Sequence, residues 1–126
     1  MERFALLVVR QYLDLPDPDA QPRDDEPEAT KATVAALQAI AGGHIDLQTT
    51  NPDALDPYGR ADVISLLGDV TTFSFAGRAT MKRPLRMHGH LLVGFTIVKL
   101  TRKTGTGILT VYRDDSGKIA YVEGTQ

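Results

Sequence analysis

The stretch His88-Gly89-His90-Leu91-Leu92-Val93-Gly94-Phe95-Thr96-Ile97-Val98-Lys99-Leu100-Thr101 decides how the rest of the chain is read. It is long, apolar and β-branched, the composition of a strand covered on two faces. Alternation places Met87, Leu91, Val93, Phe95 and Ile97 on one side and His88, His90, Leu92, Thr96 and Val98 on the other. Both sides are too apolar to stay bare in a small domain, so one is expected to pack on a second copy, making a homodimer. Downstream, Thr104-Gly105-Thr106-Gly107 and Asp114-Asp115-Ser116-Gly117 read as hairpin turns, leaving residues 108–113 and 118–123 as a final pair of strands. Upstream, residues 70–76 are rich in Thr and Phe and read as a strand. A further strand begins near Arg78 and is interrupted by Pro84.

The first half of the chain has a different period. Over residues 27–41, Val34, Leu37 and Ala41, with Ile40 beside them, form an apolar stripe, and Glu28, Lys31, Ala35 and Gln38 form the opposite one. Pro27 suits the first turn of this helix and Gly42-Gly43 ends it. A short helix is expected at about residues 60–67, burying Val63, Ile64 and Leu67 and stopped by Gly68. Residues 44–49 alternate enough for a short strand, with Ile45 and Leu47 on one side. Residues 2–13 admit a strand, but Val8 and Val9 share a face with Tyr12 and Leu13 at i+4, which favours a helix. Residues 14–27 carry Pro16, Pro18, Pro22 and Pro27 and read as an acidic, proline-rich surface loop. Helices first and an antiparallel meander last make one α+β domain over residues 1–126.

Composition narrows the function classes. The chain has 126 residues, 42% hydrophobic and 24% charged, which suits one folded domain with one core. It has no cysteine, hence no disulfide, thiolate metal site or cysteine nucleophile. The apolar run from Phe4 to Val9 is too short for a membrane span or a secretory signal, and the cytoplasm is the expected location. Charge is unevenly placed. Seven acids face one base between Asp14 and Glu28, whereas eight bases and no acid lie between Val70 and Arg113. The plain reading is two solvated surfaces that offset each other; the sharper one is a basic sheet that meets an anionic partner. A pI near 5.9 and the lack of an RNA-binding aromatic motif argue against nucleic acid.

Three places can carry chemistry. Tyr12, on the apolar face of the opening helix, needs a partner for its hydroxyl. It either finds one in the core or donates to a carbonyl or developing oxyanion in a pocket. Asp56, in Leu55-Asp56-Pro57-Tyr58-Gly59, is either a helix cap or a carboxylate whose apolar surroundings raise its pKa towards general-base values. His88 and His90 are neighbours on one strand face. A metal there needs a third ligand from His44 or Asp46, so hydrogen-bonded pocket or surface histidines are the preferred reading. There is no glycine-rich phosphate loop and no serine placed for a nucleophilic triad, and no cofactor or metal is expected.

Val8-Val9-Arg10-Gln11-Tyr12-Leu13, Asp56-Pro57-Tyr58-Gly59 and the turn Val111-Tyr112-Arg113-Asp114-Asp115-Ser116-Gly117-Lys118-Ile119 resemble segments of the ketosteroid isomerase and polyketide cyclase branch of the nuclear transport factor 2-like superfamily. The resemblance implies a cone-like curved antiparallel sheet wrapped around the helices, with an apolar pocket between them. It implies Asp56 as the base that moves a proton beside a carbonyl of a steroid- or polyketide-like substrate, with Tyr12 stabilising the enolate. Tyr58, Phe73, His88, His90 and Leu109 are expected to bind the substrate. The chain departs from the family in two ways. Leu109 stands where the isomerases keep a second oxyanion donor, a role left to His88 or His90, and the spacer between Tyr12 and Asp56 is longer. The alternative is a non-catalytic ligand-binding or dimerisation domain of the same fold.

Overall fold

The computed structural model describes residues 23–55, 60–87 and 89–125. Among these, helices α1 (Pro27–Ala41) and α2 (Arg60–Leu67) precede strands β1 (Val70–Met87), β2 (His90–Arg102), β3 (Gly105–Asp114) and β4 (Ile119–Thr125). The strands form one antiparallel sheet in the order β1-β2-β3-β4, an open, curved meander compatible in shape with a cone. The fold is α+β.

Helix α1 starts with Pro27 at its first position and Glu28 in its first turn, where a negative charge meets the positive helix end. It ends where the Gly42 N–H donates to the carbonyls of Gln38 and Ala39 and the His44 N–H returns to Ala39. Its buried residues are Thr33, Ala36, Leu37 and Ile40, so the face is rotated from the expected stripe: Val34 is only half-buried and Ala41 is exposed. In α2 the buried set is Val63, Leu66 and Leu67, and Ile64, expected inside, is exposed. The reason lies in the sheet. A Cβ on Gly107 would come within 3.0 Å of the Leu66 side chain, and one on Gly124 within 2.5 Å. The two glycines leave a hollow that Leu66 fills, and this turns α2 about its axis.

Strand β1 is continuous where a break at Gly77 and an interruption at Pro84 were expected. Pairing with β2 absorbs both irregularities as bulges, between Phe75 and Gly77 and between Thr80 and Leu85. Pro84 is tolerated because β1 is an edge strand and the proline falls in the unpaired bulge. Exposed Lys82, Arg83 and Arg86 beside it protect that edge from pairing with another chain. The second turn closes on Lys103 and Thr104, so β3 begins at Gly105, and β4 runs on to Thr125. Residues 44–49 form a turn and no strand; the Asp46 carbonyl accepts from the N–H groups of Thr49 and Thr50, and only Thr50 makes a bridge, to Ile119.

The sheet has two apolar faces. Leu37, Ile40, Val63, Leu66 and Leu67 pack against Val98, Leu100, Leu109, Val111 and Val122 on one. Met81, Leu92, Phe95, Tyr112 and Ala120 cluster on the other. Leu92 joins Phe95, contrary to simple alternation, because a bulge between Leu92 and Gly94 shifts the register by one residue. On the side that alternation gives to Met87, Leu91, Val93, Phe95 and Ile97, Phe95 and Ile97 are 0% and 3% exposed, whereas Met87, Leu91 and Val93 are half-buried. The large hydrophobics exposed among the described residues are Leu47, Ile64 and Leu85.

Part of the charge asymmetry resolves into contacts. Arg78 on β1 donates to Asp24 at 3.0 Å and to the Thr30 hydroxyl at 2.6 Å, lies 3.7 Å from Glu26, and stacks over the Phe75 ring. Arg102 donates to Asp69 at 2.7 Å. The end of the acidic loop is thus bound to the basic sheet.

Candidate functional site

Tyr12, Asp56, Tyr58 and His88 lie outside the described residues. The chain leading to Asp56 is anchored. Ala54 is wholly buried and Leu55 nearly so, and the Val122 N–H donates to the Ala54 carbonyl. The Asn51 and Ile119 N–H groups tie residues 49–51 to the start of β4. His90 bonds the Asp53 carboxylate at 2.9 Å and stands 3.9 Å from Asp114. Leu109 is fully buried in the helix-facing core. Phe73 is half-buried against that core and lines an open groove of about 490 Å³ between the end of α1 and the start of β1.

A second cleft, of about 310 Å³, lies between the first two turns of α1 and the β2–β3 ladder. Here α1 presents only Ala29, Ala32 and Thr33, its larger apolar residue Val34 lining the other groove. Thr96, Arg113 and Ile119 form the sheet side, and Lys118 and its turn form the rim. Arg113 pairs with Gly94 across the ladder, and a Cβ on Gly94 would come within 2.9 Å of the guanidinium. Glycine there lets the arginine lie flat across the sheet. Asp114, next in sequence, is fully engaged: it accepts from Asn51, from the Ser116 hydroxyl and from the N–H groups of Ser116 and Lys118. Burial pushes its carboxyl up, but these donors outweigh burial and hold it below the ordinary carboxylate range.

On the opposite face, the Tyr112 hydroxyl donates to Glu123 at 3.5 Å, and both side chains are buried. Phe95 stands edge-on to Tyr112, with ring centres 5.8 Å apart. Burial raises the Glu123 carboxyl, an effect only partly offset by the Tyr112 hydroxyl, and burial also lifts the Tyr112 phenol well above its usual value. Thr110 and Thr125, buried on the same face, leave their hydroxyls without a hydrogen-bond partner. This carboxylate can hold a proton more readily than a solvated one.

The sequence reading missed both places. Arg113 follows Leu109 and Val111 at strand spacing, so a cation on an apolar face was visible but unused. Glu123 alternates with Tyr121 and Thr125 and looks like the solvent side of an edge strand. Compared with protein-family models, curated proteins and solved structures, the chain matches none. Fold and site together define an α+β domain that has, among the described residues, two helices on an antiparallel meander and an open, cationic cleft at one end of the helix–sheet interface.

Proposed function

We propose that the chain is a small-molecule enzyme of the cone-shaped type, moving a proton beside a carbonyl on a steroid- or polyketide-like substrate. Asp56 is the base and Tyr12 the oxyanion donor. The observation that carries this reading is the anchoring of the chain just before Asp56. Ala54 and Leu55 are buried and the Ala54 carbonyl accepts from the Val122 N–H, so the segment that leads to Asp56 is fixed to the sheet. The α+β meander, compatible in shape with the cone, supports it.

A second reading, a ligand-binding domain without catalysis, is favoured by Leu109. Leu109, which stands where the resemblance implies a second oxyanion donor, is fully buried, and lacking one such donor costs about 10²–10³ in rate. Turnover of a β,γ-unsaturated ketosteroid, measured with binding of an aromatic enol analogue, separates the two. The enzyme reading expects Asp56→Asn to abolish turnover while the analogue still binds, and Tyr12→Phe to slow it. Binding with no turnover by the unaltered chain supports the second reading, and turnover surviving Asp56→Asn removes Asp56 from the base role.

A further inference from the structure

We propose that the cleft between α1 and the β2–β3 ladder binds a small organic oxyanion, a carboxylate or a phosphate, seated on Arg113. The inference is independent of Asp56 and Tyr12. Among the described residues the other half-buried arginines of the sheet are matched by acids: Arg78 by Asp24 and Glu26, Arg102 by Asp69. Arg113 has no such partner, and its Nε is buried without a hydrogen bond. Buried donors in native proteins are almost always paired, so an arginine that lines a cleft with a buried, unpaired Nε points to a ligand.

The surroundings specify that ligand. Among the described residues no carboxylate lines the cleft, and Lys118 adds a second positive charge at its rim. The Thr96 hydroxyl accepts from Arg78, so its own hydrogen is free to donate, whereas the Thr33 hydroxyl is committed to the Ala29 carbonyl. The charged groups of the lining, Arg113 and Lys118, are both donors, and a planar guanidinium fork matches a carboxylate or phosphate edge. Ala29 and Ile119 supply a small apolar wall for a compact body, and about 310 Å³ is at the lower end of ligand-pocket sizes.

The test is an NMR titration of the full chain, following the Arg113 Nε–H and the backbone N–H groups of Thr96 and Lys118. Sodium benzoate and inorganic phosphate are added separately at constant ionic strength, with sodium chloride as control. The expected result is a saturable shift at Arg113 with at least one of the two anions and none with chloride. Arg113→Gln should weaken binding about tenfold or more, and Arg86→Gln, on the exposed edge of β1, should leave it unchanged. Preference for benzoate assigns a carboxylate ligand, and preference for phosphate assigns a phosphoester. The proposal is overturned if neither anion saturates, if chloride does the same, or if Arg86→Gln weakens binding as much as Arg113→Gln. Should Arg113→Gln fail to fold, the titration of the unaltered chain decides alone.

Discussion

Glu123 is 6% exposed, and the hydrogen bond it receives, from the Tyr112 hydroxyl at 3.5 Å, is long for a charged acceptor. Its carboxyl is raised above the ordinary 4.5 because burial penalises the charged form. For an acid raised in the folded state, the favourable contribution is complete below the unfolded pKa and is lost as pH rises through the folded one. Glu123→Gln keeps the shape and removes the charge. It is therefore expected to raise the melting temperature at pH 7 and to leave it unchanged near pH 4, which thermal unfolding at the two pH values measures. Alternation alone gives no sign that this residue is buried, because its covered surroundings come from partners distant in sequence.

Helix α2 shows how an element is set by what it meets. Its sequence offers Val63, Ile64, Leu66 and Leu67 as apolar residues, and a helical wheel admits either Ile64 or Leu66 as the inner one. Gly107 and Gly124 decide in favour of Leu66 by leaving a hollow beneath it. Leu66→Ala is expected to destabilise the domain by about 2–5 kcal/mol, and Ile64→Ala by less than about 1 kcal/mol, because only the first opens a cavity. Urea unfolding of the two variants would reverse this ranking if the helix were docked by its other face. The limits of α1 and α2 were legible from Pro27, Gly42 and Gly68. The rotation of α2 was not, since it depends on Gly107 and Gly124, about forty residues or more away.

Across the whole molecule, three of the carboxylates that join segments distant in sequence are Asp24, which holds Arg78 and Thr30, Asp69, which holds Arg102 and Thr104, and Asp114, which holds Asn51. Each is held below its ordinary 3.8. For Asp24 and Asp114 burial acts the other way and is outweighed by hydrogen bonds, and for Asp69 the bonds from Thr104 and Arg102 lead. A carboxylate depressed in the folded state contributes stability above its unfolded pKa and loses it as pH falls through the folded value. Cooperative acid unfolding is therefore expected below pH 3.8, and Asp114→Asn should blunt it. Circular dichroism followed from pH 6 to pH 2 checks this.

The chain's own pattern determined the α+β class, the meander order, the extent of both described helices and the two apolar faces of β2. These follow from local periodicity and turn residues, which act within a few positions. Tertiary structure alone decided the continuity of β1 through Pro84, the register shift at Val93, the burial of Glu123 and the open cleft that leaves Arg113 unpaired. Each depends on which distant residue supplies bulk, charge or empty space, and no local pattern encodes that.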